Sequence, residues 1–272
     1  MNAPRPTLSE PDLAAAVEEL CRLLDVAPAR SPDSARQRLR ERLTVLAPGT
    51  LPAKAWPLLE AVWSTEGSRR PATRAAGLPR LAASGWASRV SLWRGDITTL
   101  EVGAIVNAAN SGLTGCYRPL HACVDNAIHA AAGPWLREEC GQIMEERGRP
   151  EPTATATTTA GYFLPARHVV HTVGPIVETG APTPEHESAL RRCYRECLKA
   201  GAALPAGARS LAFCGISQGV FGYPVPLAAA AATSAVREFL GEDASLDQVV
   251  LVTFSASDHA AYQVALQEAL RA

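Results

Sequence analysis

Between residues 115 and 129 the chain reads Gly115-Cys116-Tyr117-Arg118-Pro119-Leu120-His121-Ala122-Cys123-Val124-Asp125-Asn126-Ala127-Ile128-His129. Cys116, His121 and Cys123 place two sulfur donors and one imidazole within eight residues. That is a good donor set for Zn2+, and three protein ligands leave the fourth position of a tetrahedral ion open. An open position is what a catalytic zinc needs and a structural one lacks. Buried packing is the plain alternative for the two cysteines, and a partnerless loop residue for His121. Three soft ligands in one short loop favour the metal. His129 closes an Ala-Ile-His stretch on a helix and reads as structural rather than as a fourth ligand. Cys193 and Cys197 stand four apart, about one helical turn, and read as core. His168, His186 and His259 carry no site signal.

Three further segments could hold a ligand. Gly95-Asp96-Ile97-Thr98 follows a short strand candidate, and a carboxylate there can accept from an exocyclic amine such as that of adenine; taken alone, Asp96 is better read as the cap of a turn. Asn107 and Asn110 end the next strand, where amides can hydrogen-bond sugar hydroxyls. Asn as a turn former is the plain alternative. The third segment runs from Cys214 to Pro224 and holds Gly215, Gly219 and Gly222 between a strand and a helix. Such a loop can aim backbone N–H groups at phosphate oxygens. It is neither a P-loop nor a dinucleotide fingerprint.

The elements that must position these loops fall into two textures. Up to about residue 82 the pattern is helical only. Ser9-Glu10-Pro11 and Ser31-Pro32-Asp33 are helix starts. Leu13, Val17, Leu20 and Leu24 form one stripe, and Leu39, Leu43 and Leu46 a second. A third piece spans about Pro52 to Thr65, with Leu58, Leu59, Val62 and Trp63 as its apolar side; Gly67 to Pro79 reads as an ordered or semi-ordered linker. From Arg89 onward strands and helices alternate. Strands are expected at Val90–Trp93, Ala104–Val106, Thr153–Thr159, His168–Val173, Ser210–Cys214 and Gln248–Phe254. Helices are expected at Val124–Cys140, Glu185–Leu204, Leu227–Leu240 and Asp258–Leu270. This alternation predicts a mixed or parallel sheet covered on both faces, with ligands at the carboxyl ends of the strands.

Bulk numbers narrow the function. The 272 residues carry 26 Lys and Arg against 27 Asp and Glu, so no basic field drives nucleic-acid binding. A ligand with several phosphates must then be held by local backbone groups. Met1 to Arg5 is not followed by an uninterrupted apolar run, so no signal peptide is expected, and no run is long enough to span a bilayer. Seven scattered cysteines, an odd number, point to a reducing cytoplasmic setting rather than a disulfide framework.

Taken together, Gly95-Asp96-Ile97, Val106-Asn107-Ala108-Ala109-Asn110 and a loop ending in Phe221-Gly222-Tyr223-Pro224 resemble the macrodomain family. Gly161-Tyr162, Leu164-Pro165 and His171-Thr172-Val173-Gly174-Pro175 are also similar to its central strands. The resemblance covers roughly residues 88 to 272, about two-thirds of the chain. It implies a three-layer α/β/α macrodomain with a mixed central sheet over residues 83–272. A small all-helical extension, residues 1–82, precedes it. The same resemblance implies that ADP-ribose is the ligand, with Asp96 and Ile97 on adenine and Asn107 and Asn110 near the distal ribose. Ser217, Gly219, Val220, Phe221, Gly222 and Tyr223 would wrap the diphosphate and ribose.

Hydrolytic macrodomains carry a run of glycines where this chain has Cys116, His121 and Cys123, ahead of a retained Asp125. The pattern resembles the zinc-containing macrodomains found beside microbial sirtuin-type ADP-ribosyltransferases, which also carry a helical extension. It implies a hydrolase that removes mono-ADP-ribose from modified protein side chains, with loop-bound Zn2+ next to the distal ribose. Asp125 and Asn110 are the implied catalytic residues, Asp125 as the acid/base or water-orienting carboxylate. Two other readings stay open, a non-catalytic ADP-ribose reader and an O-acyl-ADP-ribose deacylase. Gln218 stands where related loops carry a small residue, often Thr, and its bulk is expected to alter the diphosphate contact or access to it. The expected partners are ADP-ribose and mono-ADP-ribosylated protein, with no nucleic acid and no membrane, for a cytoplasmic monomer.

Overall fold

The structure, a computed structural model, describes residues 7–178 and 180–271. Its first helices begin where serine and proline place them. Ser9 accepts from the Asp12 amide and Pro11 fills the first turn of α1 (Glu10–Leu23). Ser31 and Ser34 cap each other's backbone at the start of α2 (Pro32–Val45). Helix α3 (Ala55–Arg69) follows. Leu13, Val17, Leu20 and Leu24 pack with Leu39, Leu59, Val62 and Trp63 into a core separate from the rest.

The strands are β1 (Thr73–Arg74), β2 (Val90–Arg94), β3 (Leu100–Glu101), β4 (Ala104–Ala108), β5 (Thr157–Ala160), β6 (His168–Thr172), β7 (Ser210–Phe213) and β8 (Gln248–Thr253). The remaining helices are α4 (Val124–Ala132), α5 (Pro134–Arg147), α6 (Pro184–Ala202), α7 (Val225–Glu242) and α8 (Ala256–Arg271). Six strands form one sheet in the order β2-β8-β7-β4-β6-β5, parallel except for β5, which runs antiparallel to β6. The alternation of side chains divides the core in two. Ala104, Val106, Leu211, Phe213, Val249 and Leu251 face α6, α7 and α8. Ile105, Ala212, Val250 and Val252 face α4 and α5. The result is the expected three-layer arrangement with a mixed sheet, and the helices α1–α3 stack outside α4 and α5.

Three expectations are corrected. The helix predicted over Val124–Cys140 is broken into α4 and α5. Gly133 sits at φ +84° and Pro134 supplies the first turn of the next helix, so neither continues the α-helical ladder. The strand predicted from Thr153 begins only at Thr157, and Thr153 makes just an isolated bridge to Val173. The third helix, expected to end near Thr65, runs on to Arg69, and the ordered connection after it carries β1, which pairs in parallel with β3.

The seam between the helical unit and the sheet domain is aromatic. Trp63 Nε1 donates to the Ala130 carbonyl at 3.0 Å. Trp135 packs 5.2 Å from Trp56 and 4.9 Å from Phe163, ring centroid to ring centroid. No helix among the described residues is long and apolar enough to cross a membrane.

Candidate functional site

Strands β2, β8, β7 and β4 are neighbours and run the same way, so the loops that leave their carboxyl ends gather on one rim. Gly95–Thr98 follows β2, Asn110 and the Cys116–Cys123 loop follow β4 and lead into α4, and Cys214–Pro224 follows β7. The structure therefore brings the predicted residues into one neighbourhood, though several side chains do not point as expected.

Asp125 lies in the first turn of α4 and is 4% exposed. Its Oδ1 accepts from Asn107 Nδ2 at 2.7 Å. The same amide lies 3.1 Å from His171 Nδ1. An amide nitrogen only donates, so His171 Nδ1 accepts and the ring proton sits on Nε2, 2.9 Å from Thr159 Oγ1. Asn107 is wholly buried and faces Asp125 rather than an open cleft. Burial pushes the Asp125 carboxyl up to about 6, against the Asn107 hydrogen bond and the Arg137 charge, which both lower it. His129 Nε2 lies 3.5 Å from Asp125 Oδ1, but burial holds that imidazole neutral, so the contact is no ion pair. From sequence His171 reads as strand only. It joins the site through the pairing of β4 with β6, whose register sets it opposite Asn107.

His171 makes a pH prediction. Burial pulls its pKa down to about 3, whereas an unfolded histidine titrates near 6.5. Between those values the unfolded chain binds the extra proton, so stability falls as the pH drops, by up to about 1.4 kcal/mol per pH unit. His171→Gln is expected to flatten that fall by about one proton in urea titrations stepped from pH 6.5 to 4. Equal slopes for the two proteins would rule the assignment out.

The Cys116–Cys123 loop lies just ahead of Asp125. The sulfurs of Cys116 and Cys123 and a ring nitrogen of His121 all lie within 4.8 Å of one another. Tetrahedral zinc with bonds of ~2.0–2.3 Å needs donors about 3.5–3.8 Å apart, which lies inside that bound. His121 Nδ1 is buried with no hydrogen-bond partner among the described residues, as a donor atom reserved for an ion would be. Burial first, then the adjacent Cys116 thiol, push Cys123 up to about 11, so the thiolate needs a cation beside it. These residues fit Zn2+. Cys123 also caps α4, its Sγ accepting from the Asn126 amide at 3.4 Å. Asn110 serves the same loop: Nδ2 donates to the Gly115 carbonyl and Oδ1 accepts from the Gly112 amide, both at 2.9 Å.

The Gly-rich loop after β7 is shaped by the Tyr223 amide, which donates to the Ser217 carbonyl, and by the Gly222 amide, which donates to that of Gly219. Among the described residues, nothing accepts from the backbone amides of Gln218, Gly219, Val220 and Phe221. A run of free N–H groups is an anion cradle. Tyr223, expected at the ligand, is 2% exposed and belongs to the core. Gln218 folds back to donate from Nε2 to the Tyr262 hydroxyl at 2.9 Å, which satisfies its amide inside the protein. Ser217 Oγ is buried without a partner among the described residues.

At the β2 end, Asp96 Oδ1 accepts from the Thr98 amide and hydroxyl at 2.9 and 2.8 Å, so the capping role is real. Its residue is exposed, and Oδ2 takes no part in those bonds. The Ile97 side chain is core, leaving only its backbone toward the rim. Next to this turn stands Phe254, 82% exposed, where the sequence predicts the end of a strand.

Residues 106–232 match the family model described as Macro domain. A protein-ADP-ribose hydrolase of Treponema medium is 48% identical over 171 residues, which are 63% of this chain and 64% of that protein. The chain thus spans just under two-thirds of that relative's length. A mutant macrodomain of Oceanobacillus iheyensis solved with ADPR is 38% identical, with a TM-score of 0.61 over 67% of this chain and 94% of that one. A Trypanosoma brucei macrodomain in complex with ADP-ribose is 30% identical, with a TM-score of 0.61 over 90% of this chain and 94% of that one.

Proposed function

This chain belongs to the macrodomain family, and from that premise we propose that it hydrolyses mono-ADP-ribose from modified protein side chains, with Zn2+ held by Cys116, His121 and Cys123. The observation that carries the reading is the buried Asp125, oriented by Asn107 and placed directly behind a loop of three convergent metal donors. The relatives named for ADP-ribose hydrolysis and the ligands of the solved relatives agree with it.

Asp96 and the exposed Phe254 would take the adenine end, a carboxylate for the amine and a ring face for stacking. The free amides of Gln218–Phe221 would hold the diphosphate, which explains how a nearly neutral protein binds an anion. The distal ribose then falls beside Asp125 and the metal loop. In the reaction water adds at the anomeric carbon, and the bond from that carbon to the side-chain oxygen breaks with its electron pair passing to that oxygen. Free ADP-ribose leaves with a new anomeric hydroxyl, while the side chain is restored as a carboxylate, or as a hydroxyl that takes up a proton. When bound, Zn2+ supplies charge that orients an oxygen or lowers the pKa of a water. Asp125 would orient the attacking water through Oδ2 and accept its proton, because Oδ1 is already committed to Asn107. Asn110 acts one step back, fixing the turn that leads into Cys116.

The test is release of ADP-ribose from a mono-ADP-ribosylated protein, with and without a chelator. Release that stops with chelator and returns with added Zn2+ is expected. Tight binding without release would replace the hydrolase by a reader, and deacylation of O-acyl-ADP-ribose alone by a deacylase.

A further inference from the structure

Arg137, in the first turns of α5, joins two parts of the protein that are distant in sequence. It is 7% exposed. Its Nη1 donates to the carbonyls of Leu43, Thr44 and Leu46 at 2.7, 2.7 and 3.0 Å. Those are the last carbonyls of α2 and its cap, groups that a helix cannot satisfy itself and that carry the negative end of its dipole. A buried guanidinium is costly unless such acceptors surround it. The helical extension supplies them.

The other face of the guanidinium meets the metal loop. Its carbon lies 4.6 Å from the centroid of the Tyr117 ring, a cation–π distance. Tyr117 follows Cys116 directly and holds φ +53°, a left-handed conformation that a bulky residue adopts only when its surroundings hold it there. Gly115, at φ +91°, lets the guanidinium pass: a Cβ there would lie 2.8 Å from Arg137 Nη2. The far half of the loop is tied separately, by Asn126 Nδ2 to the carbonyls of Arg118 and His121, both at 3.2 Å. In the near half Asn110 holds the Gly115 carbonyl, and Tyr117 on Arg137 is the tie that reaches the N-terminal helices.

We infer that Arg137 is a positioning residue through which the N-terminal helices hold Cys116 in place, so that the extension sets how firmly the loop keeps its metal. This rests on the zinc reading above. The helices thus act on the site without touching substrate.

The experiment uses the full chain loaded with Zn2+ and follows metal release to a chromophoric chelator. Tyr117→Leu removes the ring from a partly exposed position, so the fold is expected to survive. Release should speed about tenfold, one decade being about 1.4 kcal/mol, with the unfolding midpoint of the metal-free protein unchanged. Tyr117→Phe, which keeps the ring, should match the wild type. Wild-type release rates in Tyr117→Leu would overturn the inference while leaving the zinc reading intact. So would equal acceleration in Tyr117→Phe, which would transfer the effect to the hydroxyl. A wild-type protein that binds no Zn2+ would overturn both.

Discussion

Replacing Cys123 by Ser is expected to remove bound zinc and ADP-ribosyl hydrolysis together, with a rate loss on the order of 10³-fold or more. That corresponds to the several kcal/mol a bound metal contributes at a reacting centre. Serine is chosen over alanine because Cys123 has two jobs. Its sulfur is a donor of the Cys116–His121–Cys123 set and also the N-cap of α4. A serine hydroxyl is a better cap than a thiol, so the Asn126 amide keeps its acceptor and α4 keeps its start. It is a poor zinc ligand. Metal analysis and the release assay on one preparation, beside a thermal unfolding curve, read all three quantities. Full hydrolysis by a zinc-free Cys123→Ser protein would dispose of the metal mechanism.

Asp125→Asn is the second large effect, a loss of about 10²–10⁴-fold in kcat with the affinity for ADP-ribose held within a few fold. The substitution is isosteric, and the oxygen of the new amide can still accept from Asn107 Nδ2. A buried amide costs less than a buried carboxylate, so the melting temperature should stay level or rise. Activity and stability then move apart, as expected where a charge is kept for chemistry at a cost to the fold. Calorimetric titration with ADP-ribose separates the two terms. An Asp125→Asn protein that turned over at the wild-type rate would leave Asp125 a structural residue only.

The layers of this fold were legible because period and caps agree with burial. Leu13, Val17, Leu20 and Leu24 line one core, and β8 is buried along its whole length as a continuous apolar strand should be. The break between α4 and α5 was legible too, in Gly133-Pro134, but the apolar residues on either side keep helical spacing and hid it. The neighbourhood of the site was readable from motif order. Side-chain direction was not. Asn107 lies on β4 and His171 on β6, joined only by strand pairing, so nothing local in sequence shows that one amide serves both His171 and Asp125. Tyr223 was misplaced for the same kind of reason: the loop's backbone faces out while this ring turns into the core. Arg137 gave no signal because its acceptors are main-chain carbonyls more than ninety positions away, and carbonyls have no letter in the sequence.

Three of the five tryptophans, Trp56, Trp63 and Trp135, stand at the seam where the N-terminal helices meet α4 and α5. Indole emission responds to the water and polar groups around the ring. The intrinsic fluorescence of this protein therefore reports chiefly on that junction and only secondarily on the sheet. The molecule carries its own optical gauge of how tightly the helices are seated, and it needs no label.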